Sequence, residues 1–371
     1  MSKYSFSTDK AEFIVDLRKA VKDYFKDNNI QQHGNISLYL KTLFMFGLYL
    51  VPFVFILMGS ISHVPFLLLA WFVMGIGMSG VGMVIMHDAN HLSYAKNRNF
   101  NRFLGNSLYL LGGYPPTWRY QHNTLHHGFT NIDGEDEDIA PPGFLRFSPN
   151  TPLKSIHKFQ FLYAWFFYSL MTVSWITAKD FKQLKRYTGR NAALSQDKSY
   201  SRMLVEVIIS KIFYYAVFLV APLVLSPVSW YWTLLGFVIM HLICGYILGI
   251  VFQSAHVVPT SEYPVPDENG KFDNNWAVHQ LHTTCDFAPN SRIFSWFIGG
   301  LNYQIEHNLF PNISHVHYRE IAKLVRKYAN EYDIPYHSNK TFLSALAMHT
   351  KMLKQLGRQE KNISKTANLA A

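Results

Sequence analysis

Charged residues avoid two stretches near the start of the chain, 42–62 and 64–86, which run 21 and 23 positions without one. Only His63 separates them, and Pro65 follows at once, so the pattern predicts two helices joined by a tight turn. At about 1.5 Å per residue, either run is long enough to cross the roughly 30 Å hydrocarbon core of a bilayer. A second pair is predicted over 207–225 and 229–252, turning at Ser226–Pro227. Lys211 would sit in the first turns of that pair, its long stem snorkelling towards the surface. Two further apolar stretches differ from these. Residues 103–113 are too short to span and read as an interfacial helix, whereas 159–178 are long enough on hydropathy alone. Beyond about Tyr318 charged and apolar residues alternate at helical spacing, which predicts a cap of amphipathic helices.

Composition agrees with this segregation. Hydrophobic residues make up 49% of the 371 and charged ones only 16%, against about a quarter in soluble proteins. Intrinsic disorder is excluded for the chain as a whole. The polar start MSKYSFSTDKAEF has no apolar core of the kind a cleavable signal peptide needs. Cys244 and Cys285 form no C-x-x-C pair, which argues against a disulfide framework or a thiolate zinc site. The net charge of +10 would suggest nucleic acid, but its distribution points to topology. Lys and Arg number seven in 1–41, fourteen in 87–202 and twelve in 253–371, so 33 of 34 fall on one side of the four spans. The positive-inside rule makes that side cytoplasmic. The expected fold is an all-α integral membrane protein with four transmembrane helices in two hairpins, interfacial helices and a cytoplasmic helical cap carrying a di-metal site. Residues 1–41 would form a cytoplasmic leader, 42–330 the membrane domain and 331–371 a helical tail. No nucleic-acid partner is expected.

The seventeen histidines carry the chemistry. His87 and His91 stand four apart at the end of the second run, on one helical face. His122, His126 and His127 repeat that spacing and add a neighbour. Gln304 and His307 form a thinner third group, and His256 ends the fourth run as His87 ends the second. One histidine at a membrane interface is ordinarily a polar tip and no more. Three groups on the same side are a different matter, because imidazole is the commonest transition-metal ligand and six strong candidates exceed what one tetrahedral metal needs. Two metals are implied. Groups that share metals must share a side of the membrane, so an even number of crossings must separate them. Residues 159–178 are therefore expected to lie in the cytoplasmic interface, flanked by Lys154, Lys158, Lys179 and Lys182.

The boxes HDANH, HNTLHH and QIEHN, with the continuation LFPNISHVHY, resemble the membrane fatty acid desaturase family, in the branch whose third box opens with glutamine. The resemblance covers roughly residues 60–330. It implies two irons, O2, two electrons per turnover and insertion of a cis double bond into an acyl chain, carried as a CoA thioester or in a lipid. By that resemblance His87, His91, His122, His126, His127 and His307 would be iron ligands, Gln304 would occupy a ligand position, and His256 would match a further histidine. Asn308 departs from the family, which has a second histidine there, so either one metal is held more weakly or His279, His282 or His315 compensates. Asp88 and Glu306, next to ligands, are candidates to accept a ring N–H. The acidic run 133–138 either orients ligands or is simply solvated; as a calcium loop its glycine is misplaced.

Other features mislead. Gly75-x-Gly77-x-x-Gly80 matches a dinucleotide fingerprint but lies inside an apolar run with no preceding strand, so close helix packing is expected there and at Gly245 and Gly249. His241 is expected to be hydrogen-bonded within the bundle. Trp118, Trp165, Trp175, Trp230 and Trp232 read as interfacial anchors. The 41-residue leader is too short for a fused cytochrome b5 domain, so an external ferredoxin or cytochrome b5-type donor is expected, docking on basic residues around Lys182–Arg190. The setting would be a bacterial inner membrane, or the endoplasmic reticulum in a eukaryote, with membrane lipid around it and the active site facing the cytoplasm. The alternative activity is a di-iron acyl or alkane hydroxylase. A metal transporter would need polar residues through the spans, and these have almost none.

Overall fold

The structure, a computed structural model, describes residues 4–189 and 198–358. These form two compact units, one comprising 35–120 and 165–250, the other 4–34, 121–164 and 251–358.

The first of these contains the long apolar helices. Among the described residues four are long and apolar enough to cross a membrane: Ile36–Leu57, Val64–Asn90, Tyr200–Leu225 and Trp230–His256, whose last turn belongs to the other unit. Two of them, starting at Ile36 and Tyr200, begin ahead of the predicted runs at 42 and 207, because backbone hydrogen bonding does not stop where hydrocarbon does. Asn35 and Ser199 cap the first and third, accepting from the N–H groups of Leu38 and Arg202. Leu43, Phe66, Leu69, Ile212 and Val224 point outward, as a lipid-facing surface requires. The small residues serve packing. A Cβ on Gly77 would strike the backbone at Leu48 and Tyr49 of the first long helix, and one on Gly245 would strike Ser169. His241 is buried, with Nε2 2.9 Å from the Tyr214 hydroxyl and Nδ1 3.1 Å from Thr172 Oγ1.

Lys211 corrects the expectation of a snorkelling side chain. It is only 6% exposed and donates to Asp180 and to the carbonyls of Gly112 and Trp175. A buried ammonium is tolerable when every proton finds an acceptor, and here an ion pair and two carbonyls supply them. The fifth apolar stretch is broken. Helices Ser155–Ser169 and Met171–Gly189 meet at a bend of 56°. The 103–113 region holds the eight-residue helix Arg98–Gly105 and a 3-10 segment, Asn106–Leu111, both too short to span.

In the other unit the amphipathic helices Ala11–Asp27 and Tyr318–Glu331 pack with Trp276–Thr283 and Gln304–Leu309 around one core, including Phe13, Leu17, Leu281, Ile305, Ile321 and Val325. Side chains of this size each contribute about 1.5–3 kcal/mol when fully buried. Two short parallel pairings, Ser5–Phe6 with Lys271–Phe272 and Asp286–Phe287 with Ser338–Asn339, interrupt an otherwise helical fold. The C-terminal helix Phe342–Leu356 is held by buried Arg146, whose guanidinium donates to the carbonyls of Leu356, Pro149 and Thr151.

Candidate metal centre

The second box folds in a way that its spacing alone does not show. Residues Tyr120–His126 are wound as a π-helix, in which a residue five positions on completes the turn. Both followers of His122 therefore reach it: the ring centroids lie 5.3 Å away for His126, stacked, and 4.9 Å for His127, edge-on. His307, on the short helix Gln304–Leu309, lies 4.6 Å from His127 and 5.8 Å from His122. His256 meets His126 edge-on at 4.8 Å. Five imidazoles thus converge in this unit, all buried, and Gln304 is buried one turn from His307.

The acidic run orients two of these imidazoles. Asn131 adopts a left-handed backbone (φ 58), which turns the chain back on itself. Its amide donates to the carbonyls of His256, Glu262 and Thr283, tying the loop to the end of the fourth long helix. Asp136 is thereby brought to His126, with its Oδ2 3.0 Å from Nδ1. The same carboxylate accepts from the N–H groups of Asn131 and Asp138. An ionised carboxylate only accepts, so Nδ1 carries the proton and Nε2 is left to bind a metal. Burial works against protonation of this ring, yet Asp136 and Asp138 outweigh it and raise its pKa above the ordinary histidine value. Asp138 faces Nδ1 of His122 and His126 at 3.6 and 3.8 Å and accepts from Gln121. On His307, Nδ1 meets the Tyr318 hydroxyl at 3.1 Å.

In the other unit His87 and His91 follow a π-wound segment, Val81–Met86, with ring centroids 4.9 Å apart. Trp118 packs edge-on to both, at 5.9 and 6.3 Å. It therefore lines a histidine box and is not only an interfacial anchor. Asp88 is buried, but its carboxylate is 4.0 Å from His87 Nδ1, beyond hydrogen-bond reach. Glu306 has its hydrogen bond to a group outside the boxes. Its Oε1 accepts from the Tyr336 hydroxyl, which also donates to Asp286, and Asp286 accepts the Ile305 N–H. Burial raises the Glu306 carboxyl well above the ordinary carboxylate range, and the neighbouring Asp286 charge adds to it.

Asn308 is buried beside His307. Its Nδ2 donates to Thr284 Oγ1 at 3.1 Å, which fixes the amide, while its Oδ1 has no hydrogen-bond partner. Of the histidines that could compensate, His279 has Nε2 2.8 Å from the Thr130 carbonyl and His282 pairs with Glu262. Sequence reasoning left open whether the acidic run orients ligands and did not single out Asp136 and Asp138 within it; it missed Tyr318 and Trp118 as partners of the boxes.

The donor set suits a metal. Nε2 of His126 is buried with no hydrogen-bond partner, an arrangement that is costly unless a cation fills it. Sulfur is absent from the cluster and imidazole nitrogen dominates, consistent with a di-iron site.

Comparison with known proteins agrees. The family described as Fatty acid desaturase matches residues 62–340. A protein of Arthrospira platensis named sn-1 linoleoyl-lipid 6-desaturase is 33% identical over 93% of this chain and 92% of its own length. One of the same name from Synechocystis sp. is 32% identical over 95% and 97%. An acyl-lipid (8-3)-desaturase of Physcomitrium patens is 36% identical over 94% of this chain and 72% of its own length. With its histidine boxes intact in spacing and its imidazoles gathered as a metal requires, this chain belongs to the fatty acid desaturase family.

Proposed function

We propose that this enzyme introduces a cis double bond into acyl chains carried by membrane lipids, with O2 and two electrons from a separate donor, at a centre of two irons. The observation that carries the reading is the π-wound second box, whose His126 has its tautomer set by Asp136. A lipid-linked substrate is favoured over a CoA thioester because the relatives that cover nearly the whole chain are named for lipid-linked acyl groups. Bound there, two irons would supply the oxidising power that side-chain acids and bases lack towards an unactivated methylene. The balance is two hydrogens from adjacent carbons, two electrons and two protons from outside, and O2 leaving as two waters.

The chain's own residues hold and orient. His122, His126, His127, His256 and His307 are the donors of one unit, and His87 and His91, on which Trp118 packs, are the donors of the other. Asn308 offers its fixed carbonyl oxygen where the family has imidazole, and Gln304 offers an amide. Asp286, Glu306 and Tyr336 clamp the third-box helix to the segment before the C-terminal helix.

The basic segments lie on the cytoplasmic side, supported by 33 of 34 Lys and Arg, and the bent 155–189 pair does not make a fifth crossing, supported by its 56° break. The electron donor docks on Lys182, Lys185 and Arg186, which are exposed; Arg190, expected to join them, lies outside the described residues.

The test is expression in a host of defined lipid composition, with fatty acids profiled separately in the lipid and CoA pools. Wild type gains an acyl chain two hydrogens lighter in the lipid pool, and His126→Ala does not. A hydroxylated product would turn the reading to the hydroxylase, and product confined to the CoA pool would remove the lipid-linked substrate.

A further inference from the structure

In the unit that carries the second and third boxes, two large apolar side chains stand almost fully in the open. Ile293 is 85% exposed on the helix Arg292–Phe297, and Leu343 is 77% exposed at the start of Phe342–Leu356. They are not loose ends. Phe294 and Phe342 pack at 4.7 Å, and Phe287 backs both at 6.1 and 5.6 Å, fastening the two helices together beneath the exposed residues. The charge around them has one sign. Residues 291–298 and 340–356 contain Arg292, Lys340, Lys351 and Lys354 and no acid.

The far end of the same C-terminal helix repeats the pattern. Gln160 donates to the Leu353 carbonyl at 2.9 Å, and Lys354 lies over the Phe161 ring at 5.8 Å. The 155–164 segment fastened there exposes Ile156, Phe159 and Leu162; Lys158 is its only Lys or Arg, and Lys154 directly precedes it. Apolar side chains in water with basic neighbours and no acids are the composition of a surface that enters the boundary between acyl chains and anionic headgroups. A protein partner of this chemistry would have to be both acidic and apolar; a bilayer offers that combination directly.

We propose that Ile293, Leu343 and the C-terminal helix form a monotopic edge that inserts into the bilayer interface, with Arg292, Lys340 and Lys351 meeting anionic headgroups. This goes beyond the desaturase reading and does not depend on it. The Arg292–Phe297 helix leads through Gly299 and Gly300, both at positive φ, into the third-box helix, so the edge anchors the segment that presents Gln304 and His307.

The two native cysteines are buried, so a single introduced thiol can be labelled. Leu343→Cys, Ile293→Cys and, as a control, Lys327→Cys on the exposed face of Tyr318–Glu331 are each given an environment-sensitive fluorophore. The full-length protein is placed in vesicles of phosphatidylcholine and phosphatidylglycerol. Acyl-brominated lipid is expected to quench the labels at 343 and 293 several-fold more than the label at 327, with aqueous iodide showing the reverse order. Iodide quenching at 343 and 293 equal to that at 327 overturns the proposal. Shielding from both quenchers overturns it too, since the edge would then be covered by protein, either a second copy or a partner. Because both positions are exposed, the variants keep the fold, and agreement between two sites on different helices guards against a local artefact.

Discussion

His87 and His126 are both buried histidines at the end or turn of a helix, yet they are held by different means. His87 and His91 rest against Trp118, and the Asp88 carboxylate stands 4.0 Å from Nδ1 of His87. His126 is gripped at 3.0 Å by Asp136, itself fixed by two backbone N–H groups. Aromatic packing sets where a ring lies but not which nitrogen carries the proton. A carboxylate sets both. The second box thus has a carboxylate that directs His126, while Trp118 packs on both rings of the first.

The largest effect expected from this contrast is at His126. His126→Ala removes the donor that Asp136 orients and leaves a buried carboxylate facing a void, so desaturation is lost and iron per protein falls. Asp136→Asn keeps every volume but lets the amide donate as well as accept, so the His126 tautomer is no longer dictated. Loss of such a partner costs about 10–100-fold in metal affinity. Titration of the apo-protein with Fe2+ or Co2+ checks this, and an unchanged affinity would remove the distinction between the two boxes.

Much of this layout was legible in the residue order. Runs without charge gave the four long helices, because a helix in hydrocarbon cannot carry unpaired charge, and the spacing of histidines gave the boxes. What escaped depended on approach through space. Lys211 looked like a snorkelling cation because Asp180, 31 positions earlier, was not visible as its partner. The π-winding at Tyr120–His126 leaves no mark in composition, so His127 was readable as a candidate ligand at i+5 but not as a ring brought within 4.9 Å of His122. Asp136 reaches His126 only because Asn131 reverses the chain. Asp88 and Glu306 are adjacent to ligand candidates in sequence, but on a helix adjacent residues point about 100° apart: Asp88 stands 4.0 Å from His87 Nδ1, and Glu306 Oε1 accepts from Tyr336.

A smaller effect is expected at Asn308. Its Nδ2 is committed to Thr284, so the buried Oδ1 is a preset oxygen donor, weaker towards iron than imidazole. Asn308→His restores nitrogen at that position, and iron retention during dialysis against a chelator is expected to rise by a few-fold, on the order of 1 kcal/mol or less. A fall would mean that Thr284 and the surrounding core have adapted to the shorter amide and cannot seat a ring.

The smallest effect is expected at Asp88, and it is the most direct test of the contrast. Asp88→Asn removes a negative charge 4.0 Å from His87 Nδ1, too far for a hydrogen bond to that nitrogen, so what this ring nitrogen loses is a through-space term. At 4 Å and the effective dielectric of a protein near its surface, one such term is worth up to about 4 kcal/mol between full charges, but a neutral metal-ligating imidazole carries none. Metal affinity should therefore stay within about threefold of wild type, below the range seen when an orienting partner is removed. A loss as large as that of Asp136→Asn would show that Asp88 closes its 4.0 Å gap when the metal binds, and the first box would then be as firmly directed as the second.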